Sequence, residues 1–299
     1  MYKLKGSIVA LVTPMELDGT IAWQSLFDLI DWHVESGTKG LVLAGTTGES
    51  ATIDVAEHVQ IIEQSSEHAK GRIPIIAGTG ANSTKEAIYL TSAAKKAGAD
   101  AALLVTPYYN KPTQAGLLAH YLEIANEVDL PQILYNVPAR TGCDLLPETV
   151  FKLSSHINII GLKEATGDLN RLDNLKNGLN EQINNETFLL YSGDDPTAVE
   201  FILNGGSGTI SVTANVVPGL ISEICDLALE GNTEKARSLN LRLEKLNDWL
   251  FIESNPIPVK WVLNRLGRIP EGLRLPLTTL DEKYYDQMEL ILRELSLLN

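Results

Sequence analysis

Apolar residues along this chain gather into short runs separated by longer stretches of helical pattern. Runs near Ser7–Val12, Gly40–Ala44, Ile73–Ala77, Ala101–Val105, Gln132–Tyr135, Ile159–Lys163, Phe188–Tyr191 and Gly208–Val212 read as strands. They recur at spacings of roughly 20 to 33 residues, and a strand, a helix and two loops need about 30. Eight such units in a row predict an α/β fold, a closed parallel (β/α)8 TIM barrel, more than an open sheet. The strand count by itself leaves a doubly wound sheet open.

Local signals mark the helices between these runs. Ser83-Thr84-Lys85-Glu86 has the spacing of a capping box. Pro147-Glu148 resembles a helix start with proline in the first turn. Glu35-Ser36-Gly37 and Ala97-Gly98-Ala99 look like helix ends with glycine just beyond. After the eighth run, segments near Pro218–Glu230, Thr233–Leu250, Ile257–Leu266 and Asp281–Leu298 all read as helical, with Leu239, Leu243, Leu246 and Leu250 at helical spacing. A barrel needs one helix after its last strand. The expected division is therefore a catalytic barrel over 1–230 and a C-terminal helical domain over 231–299.

Composition narrows the function classes. The 299 residues are 44% hydrophobic and 21% charged, ordinary for a soluble globular protein. The formal net charge of −14 disfavours nucleic acid as a partner. Cys143 and Cys225 form no CxxC pair, so neither a disulfide scaffold nor a zinc cluster is expected, and two thiols fit a reducing cytoplasm. Met1 to Gly6 run into the short apolar stretch Ile8 to Val12, which lacks the length and cleavage site of a signal peptide. No run reaches the roughly 18 apolar residues of a membrane span. His33, His58, His68, His120 and His156 are scattered without ligand spacing, which disfavours a metal-dependent aldolase.

A barrel carries its active site at the C-terminal ends of its strands, and polar side chains follow the apolar runs there. They include Thr46, Thr47 and Glu49 after the second, Tyr108 and Tyr109 after the fourth, and Tyr135, Asn136 and Arg140 after the fifth. Lys163 and Glu164 end the sixth, Asp194 and Asp195 follow the seventh, and Thr213 and Asn215 the eighth. Adjacent strand residues point to opposite faces, so only one of Lys163 and Glu164 can face the lumen. An ordinary lysine, with a pKa of about 10.4, is neutral in roughly one molecule in two thousand at pH 7. Desolvation raises that fraction and frees the amine to attack a ketone. Position alone leaves two readings of Lys163 open: an imine-forming nucleophile, or a lysine paired with a carboxylate at the rim. Tyr135, Tyr109 and Thr46 around one lysine favour the first, because hydroxyls that both donate and accept can relay the protons of imine formation. Arg140 can grip a carboxylate in a bidentate fashion or form a surface salt bridge. Gly78-Thr79-Gly80 is too short for a dinucleotide fingerprint and reads as a turn, and Asp194-Asp195 reads as a cap for the helix beginning near Pro196.

These stretches together resemble the dihydrodipicolinate synthase family of the pyruvate-dependent class I aldolases, over nearly the whole chain. The matching segments are Gly45 to Ser50, Val105 to Pro112, Tyr135 to Pro138 with Arg140 to Gly142, Gly161 to Gly167, Ser192 to Asp195 and Gly208 to Asn215. The resemblance implies a carbon-oxygen lyase with no cofactor beyond a covalent imine between Lys163 and pyruvate. It implies that Tyr135, Thr46 and Tyr109 relay protons, with Tyr109 supplied by the adjacent subunit of a tight dimer. Thr47 and the backbone at Ile210 would hold the pyruvate carboxylate, with Gly193 on the same wall. The enamine would attack aspartate 4-semialdehyde, whose carboxylate would meet Arg140, and the product would feed lysine and diaminopimelate synthesis. Members are commonly homotetramers, built as dimers of dimers. The family's lysine-binding positions match Ser50, Ala51, His58, Asn82, Glu86 and Tyr108, while Val55 stands where a histidine is frequent. Threonine at 46 and arginine at 140 argue against the N-acetylneuraminate lyases and sugar-acid aldolases of the same superfamily. A non-catalytic, ligand-binding barrel would be expected to lose the lysine or a tyrosine, and both remain.

Overall fold

Each of the eight predicted runs forms a strand in the computed structural model, which describes residues 4–298. Met1 to Lys3 of the stretch considered as a leader lie outside the described residues. The strands are β1 (Gly6–Ala10), β2 (Gly40–Leu43), β3 (Ile75–Gly78), β4 (Ala101–Val105), β5 (Gln132–Asn136), β6 (Ile159–Glu164), β7 (Leu189–Ser192) and β8 (Gly208–Ser211). All neighbours pair in parallel, and β8 returns to β1, closing the barrel. The connecting helices are α1 (Trp23–Glu35), α2 (Val55–Ala69), α3 (Thr84–Lys96), α4 (Gln114–Glu127), α5 (Pro138–Thr141), α6 (Pro147–Leu153), α7 (Leu169–Gly178), α8 (Asn180–Asn184), α9 (Ala198–Leu203) and α10 (Pro218–Leu229). Four more follow: α11 (Thr233–Leu241), α12 (Glu244–Trp249), α13 (Ile257–Arg265) and α14 (Tyr285–Glu294).

The lumen is filled by Ile8, Ala10, Val42, Ile76, Leu103, Ile133, Tyr191 and Ile210, all buried. Tyr191 donates its phenol to the Leu4 carbonyl at 2.7 Å and satisfies its one polar atom there. Outside the strands, helix side chains form a second core layer that the C-terminal helices share: Leu243, Leu246, Leu250, Val259 and Leu263 belong to the same cluster as Val9, Leu41 and Ile75. Gly78 is required by packing, since a Cβ there would sit 2.6 Å from the Ala44 carbonyl oxygen.

Three local expectations are corrected. Ser83 begins α3 but makes no side-chain cap; Glu86, its intended partner, lines a cavity beside Tyr108 instead. The capping box forms at α2, where Asp54 accepts from the Glu57 amide at 2.9 Å and Glu57 reaches back to the Asp54 amide. The single helix expected over 233–250 is broken between α11 and α12, where the turn tightens and the Leu243 amide bonds to Asn240 at 2.8 Å. The last helix is preceded by a 3-10 turn at Glu282–Tyr284 and stops at Glu294.

A buried ion pair ties the C-terminal helices to the barrel. Lys260 in α13 bonds to the Glu49 carboxylate and, at 3.0 Å, to the Thr13 carbonyl. Its side chain is 2% exposed and that of Glu49 is fully buried. The other Glu49 oxygen accepts from the Arg274 amide at 3.2 Å. Removing one partner of such a pair strands a charge away from water. Lys260→Met is expected to lower the unfolding free energy by about 3 to 5 kcal/mol, and Lys260→Met with Glu49→Leu to recover part of that loss. Urea denaturation checks this; equal loss in the single and double variants would contradict it.

Candidate active site

The strand ends converge on a cavity of about 450 Å³ at the C-terminal mouth of the barrel. Pairing sets the geometry of its floor. Tyr135 of β5 lies directly across from Lys163 of β6, and Asn136 across from Glu164. Because neighbours on a strand face opposite sides, Lys163 enters the cavity while Glu164 turns outward. There Glu164 accepts from Arg171 Nε at 2.7 Å and from the Asn136 amide at 3.1 Å. Arg171 also binds Asp144 at 3.0 Å. This network braces the ends of β5 and β6 from behind, so the rim carboxylate nearest in sequence to Lys163 is committed elsewhere.

Lys163 is buried, with Nζ 4.4 Å from the centre of the Tyr135 ring. Burial lowers its pKa to about 8; the Asp195 carboxylate opposes this and the Arg140 guanidinium adds to it. Burial also raises the Tyr135 phenol, against the pull of Arg140 and of the Thr46 hydroxyl beside it. Asp195 is held by the amides of Val212 at 2.9 Å and Thr213 at 3.0 Å. Its pKa is nevertheless raised, chiefly by burial. Gly193 presses on the lysine, since a Cβ there would be 2.7 Å from Lys163 Cε.

Thr46, Thr47, Tyr135, Arg140, Lys163 and Gly193 all line this cavity. Ile210 packs its side chain in the lumen beneath it and is 1% exposed. Tyr109 is absent from the lining; it is 90% exposed and held at a φ of +74°. A second cavity of about 430 Å³ adjoins the first and is lined by Ser50, Ala51, His58, Glu86 and Tyr108. Asn82 is absent from that lining; its carbonyl accepts from the Asn110 side-chain amide at 2.8 Å. Asn215 serves the fold, and Asp194 does so while also lining the first cavity. Asn215 bridges the Val12 amide and the Ala10 carbonyl, and Asp194 caps Thr197 through amide and hydroxyl. The C-terminal segment adds Asn247, Asp248, Phe251 and Asn255 to the first cavity. No periodicity or motif in the chain marks these four. Among the described residues no cluster of acidic, histidine or cysteine side chains could hold a metal ion, and no helix is long and apolar enough to cross a membrane.

A family model described as the dihydrodipicolinate synthetase family matches residues 3–295. The chain belongs to that family. Its relatives include the 4-hydroxy-tetrahydrodipicolinate synthase of Pseudomonas savastanoi pv. phaseolicola, 57% identical over 97% of this chain and 98% of that protein. That of Pseudomonas aeruginosa is 56% identical over 99% of each. Among solved structures of the family, the chloride-inhibited Acinetobacter baumannii dihydrodipicolinate synthase complexed with pyruvate matches with a TM-score of 0.95 and 52% identity, over 99% of this chain and 100% of that one. The Cyanidioschyzon merolae enzyme with lysine bound matches with a TM-score of 0.94 and 37% identity over all of both chains.

An amine with a pKa near 8 is neutral in about one molecule in ten at pH 7, against a few in ten thousand for an ordinary lysine. The rate at which borohydride traps a pyruvate adduct at subsaturating pyruvate is therefore expected to rise with pH through a midpoint near 8. Quenched-flow mass spectrometry across pH 6 to 10 measures it, and a midpoint above 10 would mean that burial leaves the amine ordinary.

Proposed function

We propose that Lys163 is the imine-forming lysine of this enzyme and that the groups around it have the roles implied by the family resemblance. The reaction is the condensation of pyruvate with L-aspartate 4-semialdehyde to 4-hydroxy-tetrahydrodipicolinate, in the synthesis of lysine and diaminopimelate, by a lyase of the class I aldolase type. The observation that carries the lysine assignment is a buried amine, lowered to about 8, against Tyr135 at the mouth of a closed barrel. The Acinetobacter baumannii structure with pyruvate supports pyruvate as the first substrate.

The neutral Nζ attacks the ketone carbon of pyruvate, and the carbinolamine loses its hydroxyl as water. The protonated imine draws electrons from the methyl group, which gives up a proton to form the enamine. The enamine carbon bonds to the aldehyde carbon of the semialdehyde. The semialdehyde's own amine then adds to the imine carbon, closes the ring and releases Lys163. Tyr135, Thr46 and Tyr109 relay the protons of these steps, Thr47 and the backbone at Ile210 hold the pyruvate carboxylate, and Arg140 receives that of the semialdehyde. No metal or organic cofactor enters the sequence.

Tyr109 reaches a neighbouring copy's site in this reading. Its 90% exposure and its absence from the lining of this chain's own cavity support a site shared across a dimer, within a homotetramer built as a dimer of dimers. Residues 231–299 are read as a helical domain added to the catalytic barrel of 1–230. The second cavity is read as a lysine site formed by Ser50, Ala51, His58, Glu86 and Tyr108 with Asn82 at its edge, supported by the lysine-bound Cyanidioschyzon merolae structure.

Mixing tests the shared site. Lys163→Ala and Tyr109→Phe are each expected to lower kcat by at least about a hundredfold, and only the second retains a borohydride-trapped pyruvate adduct on the peptide carrying Lys163. Subunits of the two variants, exchanged together, should regain turnover, because one site per mixed dimer then holds both native residues. No recovery after verified exchange would place Tyr109 outside the partner's site, and an adduct on another lysine would remove Lys163. For the second cavity, L-lysine titrated against initial rate should depress it; a flat curve to tens of millimolar would remove the effector role.

A further inference from the structure

Asn255 is delivered to the cavity by the C-terminal segment, just ahead of α13. It is 6% exposed, and its Nδ2 donates to the Thr47 hydroxyl oxygen at 3.0 Å across a separation of 208 residues. Thr47 is 2% exposed, and both residues line the site. We propose that Asn255 is a positioning residue for the pyruvate carboxylate: its amide bonds the Thr47 oxygen and leaves that hydroxyl's single hydrogen for the bound carboxylate. The proposal rests on the reading of Thr47 as a carboxylate-binding residue.

A hydroxyl carries one hydrogen and two lone pairs. Once a lone pair takes the Asn255 hydrogen, the hydroxyl's own hydrogen remains for an acceptor within the cavity. The opposite amide orientation would do the reverse: the Asn255 carbonyl would take the threonine hydrogen, and lone pairs would face the substrate's negative charge. An anionic substrate therefore favours the orientation seen here. A lone hydroxyl can rotate its hydrogen to any acceptor, and bonding its oxygen to a fixed donor narrows that choice before the substrate arrives.

The bonding of the amide also separates it from the asparagines that serve the fold. Asn215 is bonded at both ends, to the Val12 amide and the Ala10 carbonyl, and Asn136 likewise to the Leu145 amide and the Asp144 carboxylate. Buried amides are normally satisfied in this way. Asn255 Oδ1 is buried without a partner, so the amide's one protein bond is the one to Thr47. The segment that carries it is held firmly against the loop that carries Thr47. Lys260, five residues after Asn255, pairs with Glu49, two residues after Thr47.

The test uses the full-length enzyme and pyruvate as the probe, with half-saturation read both from steady-state kinetics and from borohydride trapping. Asn255→Leu is expected to raise the pyruvate KM by about tenfold or more, the scale of one hydrogen bond to a charged group. Its kcat and its KM for the semialdehyde should stay within about threefold, a split that general loss of structure would not produce. Asn255→Asp, close to isosteric, should weaken pyruvate further, because it accepts the Thr47 hydrogen and adds a negative charge. On a Thr47→Val background, Asn255→Leu should add nothing further to the pyruvate KM. If Thr47→Val raises the pyruvate KM while neither Asn255 variant does, the positioning role is overturned and the reading of Thr47 stands. If Thr47→Val leaves it unchanged, both fall. Should Asn255→Leu fail to fold, Asn255→Asp decides alone, and an unchanged pyruvate KM in it overturns the proposal.

Discussion

A lysine amine is neutral in more than a trace of molecules near pH 7 only when water is kept from it, and the closed barrel does that here. Lowering the Lys163 pKa from 10.5 to about 8 corresponds to on the order of 3 kcal/mol against the folded state. The sign follows from the protonated form being the one that burial disfavours. The cost is present in full below about pH 8, where folding carries a charge into the lumen, and it fades as pH rises toward 10.5, where the unfolded chain also loses the proton. Total stabilities of about 5 to 15 kcal/mol leave little room for such a cost, so the surrounding core has to offset it. The lumen cluster beneath Lys163 is apolar apart from two phenols, Tyr135, which meets the Thr46 hydroxyl, and Tyr191, which is satisfied by the Leu4 carbonyl.

A barrel alone would leave the mouth open. The helices that follow α10 bring Asn247, Asp248, Phe251 and Asn255 over the cavity, and the Glu49–Lys260 pair fixes them there. Glu49 sits at a φ of +61°, in the left-handed region that side chains seldom adopt. Its carboxylate meets Lys260 and the Arg274 amide, two bonds that hold the conformation in place. The loop from Thr46 to Ser50 thus takes its shape from partners more than two hundred residues away. That dependence is why the C-terminal segment shapes the cavity as well as the core.

It also explains what could be read from the chain beforehand. Strands were legible because both faces of a parallel barrel strand are buried, which concentrates apolar residues in short runs. Lys163, Tyr135, Thr46 and Arg140 were legible because a barrel puts its polar work at strand ends. The break between α11 and α12 was not, since the apolar spacing of Leu239, Leu243, Leu246 and Leu250 continues through it while the backbone tightens. Capping-box spacing at Ser83 pointed to a bond that Glu86 does not make, because its side chain faces a cavity. Asn215 looked like a rim group, and its strand-end position is right, but its amide joins β8 to β1. Asn255 has no local signature at all: its partner, Thr47, is near only after the chain has closed on itself.

The two cavities share a wall. Thr46, Ser50, Gly78, Gly80, Val105, Val137, Arg140 and Asn255 border both. A molecule that orders the second cavity therefore restricts groups that the first uses, with no need for a signal carried over a distance. Linkage then sets a condition on any effector bound there: whatever factor it takes from the affinity for pyruvate, pyruvate must take from its affinity in return. Arg140 is the group through which this condition would act most directly: in the proposed mechanism its charge receives the second substrate's carboxylate, and it also helps hold the Lys163 pKa down. Drawing the guanidinium toward an anion in the second cavity would relax both at once. The fully buried Glu49 cannot serve as that anion, since its charge is already matched by Lys260, so such a pull would have to come from Glu86 in the same lining or from an effector's own carboxylate.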